Sequence, residues 1–200
     1  MTPRGRAAAG LLAATLVQGR TALYRDDVLI GESPFAGRGV FMLPPEPAQY
    51  RLEVTAVHDP RLELSTWVTA AWTFTSAHVE GGGGKGGGKG GGLPQALSAV
   101  RFAPVLDEAN ALPAGRGHVV PVRVDGQAGS AAGAVAALSV DASFDDGDTW
   151  QPVRTVLLPG GGLAIVPPAG PGYVSLRATA RDTGGNTVEV TIIRAYRIAG

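Results

Sequence analysis

The sequence predicts an all-β protein made of two small immunoglobulin-like β-sandwich units that are joined by a flexible, glycine-rich linker. Apolar and polar residues alternate with a period of two in both halves, and no long stretch shows the 3.6-residue period of an amphipathic helix. The 30 glycines and 15 prolines fall partly at turn-like positions, which is typical of many short strands. The other glycines are concentrated in one tract, EGGGGKGGGKGGG, at residues 80–92.

This tract divides the chain into the two halves. Glycine at this density does not hold one conformation, so the tract predicts a linker with a root-mean-square span of roughly 20 Å. The predicted divisions are 1–18, a leader-like or frayed start; 19–79, a small β-sandwich-like unit; 80–92, the linker; and 93–200, an immunoglobulin-like β-sandwich unit.

Strand patterns bounded by turn signals run through the first half. Asp26-Asp27 separates two short runs, which predicts a hairpin with a two-residue turn. A unit of ~60 residues buries only about 60% of its unfolded surface, so we expect this half to lean on a neighbour. The predicted strands are Thr21–Arg25, Val28–Glu32, Gly39–Leu43 and Tyr50–Ala56, with two more within Leu62–Phe74.

The second half shows strands at regular intervals, with turn signals between them. Asp182–Asn186 (DTGGN) joins the last two strands as a closing hairpin. About seven strands in ~100 residues predict an immunoglobulin-like sandwich. These strands are Ser98–Phe102, Val119–Val124, Val135–Phe144, Trp150–Leu157, Leu163–Val166, Tyr173–Ala180 and Thr187–Ile198.

Composition excludes several classes of function. Lysine and arginine (17) balance aspartate and glutamate (17), so no net field attracts nucleic acid or an anionic membrane. The absence of cysteine excludes disulfides, thiolate metal sites and cysteine nucleophiles. Residues 1–17 have a basic start and an apolar stretch, as a secretory signal does, but no small-x-small cleavage pair follows Val17. No run reaches the ~18 apolar residues of a membrane span.

Catalytic and cofactor motifs are not found in the sequence. A serine-protease triad needs a serine, a histidine and an aspartate in defined contexts, and His58, His78 and His118 lie in unrelated surroundings. Ser33 (GESPF) misses the nucleophile-elbow pattern G-x-S-x-G. Residues 83–89 have the spacing of a phosphate-binding loop, but Gly90 stands where serine or threonine is required. The sequence therefore predicts a protein that is not an enzyme and has no cofactor.

The segment SFDDGDTW, at residues 143–150, is the sharpest motif. It fits the aspartate-box pattern S-x-D-x-G-x-T-W, in which the serine and the aspartate bond turn amides and the glycine takes a positive φ. The aromatic residue is expected to pack into the core and anchor the hairpin. A sugar or calcium site is the alternative, although the spacing of a calcium loop is missing. The predicted structural motif is Ser143, Asp145, Gly147, Thr149 and Trp150.

Aromatic residues in the first half suggest a second binding hypothesis. Tyr50, Trp67 and Trp72 could together form a platform for a polysaccharide. Trp67 and Trp72 are five positions apart, so on one continuous strand they face opposite sides of the sheet. At least one of them is therefore expected to lie in the core.

Five stretches, in this order and spacing, resemble the region that follows the catalytic domain in secreted subtilisin-like serine proteases of actinobacteria. They are TALYRDDVLIGES, PPEPAQYRLEVTAV, LSTWVTAAWTF, SFDDGDTW and YVSLRATARDTGGNTVEVTIIRAY. The resemblance covers about Gly19–Ile198. It implies a secreted, non-catalytic, β-rich module whose partner is a protease catalytic domain, in cis or in trans.

Two functions remain open on these grounds. The favoured one is a non-catalytic accessory module with a structural or docking role beside a catalytic domain of this protease family. The alternative is an extracellular binding module for cell-wall polysaccharide or for a surface protein. A large apolar patch on the first half would favour docking, and exposed coplanar aromatic side chains would favour polysaccharide binding.

Overall fold

Strands and the turns and loops between them make up the described part of the chain. The computed structural model describes residues 16–76, 94–156 and 162–200, and none of these residues is helical. The protein is therefore all-β, as the sequence predicts. The predicted linker at 80–92 and most of the predicted leader lie outside the described residues. No described helix is long and apolar enough to cross a membrane.

The described residues form thirteen strands. They are β1 (Leu16–Arg25), β2 (Val28–Ser33), β3 (Ala48–His58), β4 (Trp67–Ser76), β5 (Ser98–Phe102), β6 (Ala111–Pro113), β7 (His118–Gly126), β8 (Val135–Ser143), β9 (Gln151–Pro152), β10 (Arg154–Val156), β11 (Gly162–Ile165), β12 (Gly172–Asp182) and β13 (Thr187–Ala199).

These strands form two sheets. The larger has nine strands in the order β2-β1-β3-β4-β13-β12-β8-β9, with β6 added in parallel to the end of β13. The smaller has the order β10-β11-β7-β5. Every pairing except that of β6 is antiparallel. The β1–β2 hairpin turns at Asp26-Asp27, where both residues have positive φ (47° and 65°), so the predicted two-residue turn is confirmed.

The large sheet runs across both halves of the sequence. Strand β4 of the first half pairs with β13 of the second, from Thr73 opposite Thr187 to Trp67 opposite Ile193. Trp72 adds a side-chain link, because its indole Nε1 donates to the Ser98 carbonyl at 2.7 Å. A continuous ladder of backbone hydrogen bonds therefore joins the first half to the second, as expected for a half that needs a neighbour. The boundaries of two separate units stay a prediction.

Two apolar clusters lie on one face of the large sheet. The first lies between the sheets and joins Val120 and Leu163 of the small sheet to Leu176 and Tyr196 of the large one. The second lies beneath β1, β3 and β4 and contains Leu23, Ala48, Tyr50 and Phe74.

The opposite face of the large sheet, here called the outer face, carries mostly polar side chains. Cross-strand pairing places Arg177, Thr191, Thr69, Thr55 and Arg20 in one row across it. The next row, which contains Leu176, faces the core. This alternation is the period of two that the sequence shows.

Some predicted boundaries differ from the structure. β1 begins at Leu16 rather than Thr21, and 62–74 contributes one strand, not two. Val153 interrupts the strand predicted at 150–157. Gly39–Leu43 is not a strand, because none of its backbone groups bonds to the backbone of a described residue. β6 was not predicted, because its three residues are too few to show an alternating pattern.

The shared sheet predicts that both halves unfold together. Leu176 is fully buried, so Leu176→Ala should cost about 2–5 kcal/mol of unfolding free energy. In a Trp150→Phe background, fluorescence reports only on Trp67 and Trp72 of the first half. We expect Leu176→Ala to shift the urea transition of this fluorescence to the same extent as the transition of the whole chain, which circular dichroism follows. A fluorescence transition that does not move when Leu176 is truncated would contradict this coupling.

Candidate functional site

The aspartate-box turn connects β8 to β9 and is closed by its own side chains. The Ser143 hydroxyl donates to Asp145 Oδ1 at 2.7 Å and accepts from the Gly147 amide at 2.9 Å. Asp145 also accepts from the Thr149 amide (2.9 Å) and from the Thr149 hydroxyl (2.5 Å). Asp146 and Gly147 take positive φ of 57° and 96°. The four-residue turn between Ser143 and Asp148 is thereby locked by four hydrogen bonds within the motif.

These bonds also set the charge of Asp145. The Thr149 hydroxyl, the Thr149 amide and the Ser143 hydroxyl lower the pKa of Asp145 from its usual 3.8 to about 2. Asp145 therefore remains a carboxylate in acid down to that range. Its oxygen atoms accept bonds from protein donors, so they are engaged within the turn.

The turn covers one end of the outer face. Ser143 and Ser175 are paired across β8 and β12 and are both about 1% exposed beneath it. Gly147 has a φ of 96°, which favours glycine, and a Cβ added there would lie 2.9 Å from Ile193 Cδ1, so the turn lies close against β13.

Trp150 does not lie in the core, which corrects the sequence-based expectation. Its indole is half-buried, and the Arg177 guanidinium covers the ring at 4.7 Å from the centroid. Arg177 is held there by Asp141, whose Oδ2 accepts from Nη2 at 2.8 Å. Phe144, the residue inside the motif that the pattern leaves unspecified, packs against the main core instead.

A second clamp, which the sequence did not reveal, ties the turn to β13. Asp146 accepts two bonds from Arg194, at 2.8 Å from Nε and 2.6 Å from Nη2. Arg194 has a positive φ of 56° at a bulge in β13, and its guanidinium lies 4.5 Å from the Tyr173 ring centroid. Arg194 lowers the pKa of Asp146, so this pair stays ionised. A bidentate pair across 48 positions has no local sequence signal.

The turn therefore has a structural geometry. Asp145 and Asp146 are each directed at protein donors, and the described residues contain no group of three or more histidine, aspartate or glutamate side chains that could hold a metal ion.

The two described histidines make structural contacts. His58 Nδ1 lies 2.5 Å from the Ser65 carbonyl oxygen, and His118 Nε2 lies 2.8 Å from the Tyr196 hydroxyl. The second contact links the two sheets, and burial lowers the pKa of His118. Neither ring contacts a serine hydroxyl among the described residues. His78 lies outside them.

The three aromatic residues of the hypothetical platform are dispersed. Tyr50 is buried in the second cluster, and Trp72 packs against that cluster on the core-facing side. Trp67 lies on the outer face and is 53% exposed. These three rings therefore do not form a common plane.

Exposed apolar side chains are concentrated between residues 28 and 43. Val40 and Met42 are 95% and 91% exposed, which is unusual for apolar residues of this size. They flank Phe41, which turns inward to the second cluster. We call this group the apolar edge surface, because it follows the free edge of β2; its members are Val28, Leu29, Phe35, Val40, Met42 and Leu43.

Two glycines position this surface. A Cβ on Gly31 would lie 2.8 Å from the Phe41 ring, and a Cβ on Gly39 would lie 2.7 Å from the same ring. Phe41 is thus clamped between β2 and the segment that runs back beside it. Phe41 packs inward against the second cluster, whereas its neighbours Val40 and Met42 are exposed.

Comparison with known proteins gives one similarity. No family model matches the chain, and no curated protein matches it. A structure of fibronectin(III)-like modules of Clostridium thermocellum CbhA is similar with a TM-score of 0.31 and 11% identity, covering 97% of this chain and 83% of that chain. A similarity of this size does not define a shared function.

Removal of the buried hydroxyl tests the structural role of the turn. Ser143→Ala should lower the unfolding free energy by about 1–2 kcal/mol, because the Gly147 amide then loses its buried acceptor. Ser139→Ala, on the exposed side of the same strand, should change it by less than about 0.5 kcal/mol. Urea melts of both variants provide the measurement, and equal losses would contradict the assigned role.

The lowered pKa of Asp145 predicts a pH dependence. A carboxylate with a depressed folded-state pKa stabilises the fold above its unfolded pKa of about 3.8, and this contribution is lost as pH falls toward 2. Asp145→Asn lacks this contribution of the carboxylate. The difference in unfolding free energy between wild type and this variant should therefore become smaller as the pH falls from 5 to 2. Asp148→Asn, which removes a carboxylate of the same turn without a side-chain bond to a described residue, is the matched control for the loss of one negative charge. A constant gap would indicate that the bonds do not require the charge.

Proposed function

We propose that this chain is a non-catalytic, extracellular accessory module that docks through the apolar edge surface onto the catalytic domain of a secreted subtilisin-like serine protease. The observation that carries the docking role is the near-complete exposure of Val40 and Met42 beside an unpaired sheet edge. The choice of partner comes from the sequence resemblance.

The geometry of the edge supports docking by strand addition. β2 pairs with β1 on one side only, and the backbone of 39–43 bonds to no other backbone group of the described residues. An exposed edge with free amide and carbonyl groups binds an extended partner segment through main-chain hydrogen bonds. The side chains at 40 and 42 project to the same side of such a segment, so they would contact apolar pockets of the partner.

The candidate catalytic groups among the described residues are engaged by other protein groups. His58 Nδ1 contacts a carbonyl oxygen, His118 Nε2 contacts a tyrosine hydroxyl, and the carboxylates of Asp145 and Asp146 accept bonds from protein donors. These structural contacts are compatible with the proposed accessory role.

The double variant Val40→Ser/Met42→Ser tests the proposal. The probe is the catalytic domain of a secreted actinobacterial subtilisin-like protease, with its nucleophilic serine replaced by alanine so that it does not cut the chain. We expect saturable binding of wild type in calorimetry and about tenfold or weaker binding of the double variant, because central apolar contacts dominate interface energies.

Val166→Ser is the matched control, since Val166 is 71% exposed but lies outside the apolar edge surface. Its affinity should equal that of wild type. No binding by wild type would contradict the protease partnership. Binding that the double variant retains in full would show that docking uses another surface.

A further inference from the structure

A shallow cavity lies on the outer face, away from the apolar edge surface. It has a volume of about 250 Å³ and spans β3, β4 and β13. Its floor is a row of three threonines, with Thr69 on β4 paired to Thr55 on one side and to Thr191 on the other. Ala71 continues the floor along β4. Short side chains at these positions create the depression, and the three hydroxyls line it.

Charged groups border the floor and are paired with one another. Glu53 and Glu189 flank Ala71 from the two neighbouring strands. Arg51 lies between them and donates to Glu53 Oε1 at 2.9 Å and to Glu189 Oε2 at 3.2 Å. Arg20 pairs with Glu32 at 3.1 Å and approaches Glu53 at 3.9 Å, so two arginines stand among three glutamates. The border therefore offers directed donors and acceptors with an excess of one carboxylate.

An aromatic ring stands at the other end of this surface. Trp67 precedes Thr69 by two residues on β4, so both lie on the outer face, and Trp67 is 53% exposed. The six residue steps from Trp67 to Thr73 span roughly 20 Å at ~3.3 Å per residue. An aromatic plane, a row of hydroxyls and an ordered guanidinium–carboxylate group thus follow one another in the direction of β4, with members on β3, β4 and β13.

We propose that the outer face between Trp67 and Arg51 binds an uncharged polysaccharide chain. A sugar ring has an apolar face of C–H groups, which stacks on an aromatic ring, and a rim of hydroxyls, which bond to paired charged groups and to threonine. The excess of one carboxylate among Glu32, Glu53 and Glu189 over Arg20 and Arg51 disfavours a polyanion and allows an uncharged ligand. A groove with Trp67 as its large exposed apolar side chain lacks the apolar centre that a protein interface has. This inference does not depend on docking through the apolar edge surface.

Affinity electrophoresis of the full chain tests the inference. The native gels contain hydroxyethylcellulose, xylan or polygalacturonate, the last as a polyanionic probe. We expect retardation by at least one of the two neutral polymers and none by polygalacturonate. Trp67→Ala should lower the association constant for the retarding polymer about tenfold or more, as loss of a central aromatic contact does. Trp67→Tyr should recover part of it, because the ring is retained.

Two further variants separate this surface from the rest of the molecule. Glu189→Gln keeps the shape of the border but breaks the pair with Arg51, and it should weaken retardation several-fold. Phe35→Ala removes an exposed aromatic ring of the apolar edge surface and should leave retardation unchanged. Thermal melts show whether each variant is folded.

The outcomes that would overturn the inference are distinct from those that concern docking. Migration unaffected by both neutral polymers would overturn it, as would retardation by polygalacturonate alone. Retardation that survives in both Trp67→Ala and Glu189→Gln, or that is lost in Phe35→Ala, would place the polysaccharide elsewhere. If Trp67→Ala instead loses binding to the protease catalytic domain, the outer face serves a protein partner and the inference is wrong.

Discussion

The pairing of β4 with β13 is the constraint on which the rest of the structure depends. Without it, β4 would be an exposed edge, and the strands of the first half would have to stand as a small unit with little buried surface. With it, the row from Arg177 through Thr69 to Arg20 becomes one continuous outer face. β2 lies at the edge of the sheet away from this ladder. The outer face, where the polysaccharide is proposed to bind, therefore follows from one interstrand ladder.

The bulge in β13 has an equally specific consequence at the other end of the sheet. At Arg194 the strand takes a positive φ of 56°, which shifts its register against β12. The shift directs the Arg194 side chain toward Asp146 and Tyr173, and its amide bonds to the Ser175 hydroxyl. The aspartate-box turn is held on one side by its own motif and on the other by this bulge. Trp67 on the neighbouring strand β4 is paired with Ile193, against which this fixed turn packs.

Local features were predictable from the sequence, and non-local ones were not. The alternation of β12 and the turn at Asp26-Asp27 depend on neighbouring residues, so the pattern revealed them. Gly39–Leu43 is a short apolar run closed by prolines, as a strand can be, but it finds no pairing partner among the described residues, which no local pattern can show. Trp150 was expected to pack into the core and anchor the hairpin. Its ring is instead covered by the Arg177 guanidinium on the outer face. The pairing of β4 with β13 joins positions more than 100 residues apart and has no sequence signature.

Edge protection supports the proposal that the apolar edge surface is a binding surface. Free edges of sheets are commonly blunted by charges, prolines or bulges that disfavour pairing with other chains. This edge has such features at its ends, where Glu32 pairs with Arg20 and where Pro44-Pro45 follows the segment. Between them, Val40 and Met42 are left uncovered beside unpaired backbone. Protection at both ends and exposure in the middle would limit the proposed site to one extended segment. A partner that covers this segment would also prevent the edge from pairing with other chains.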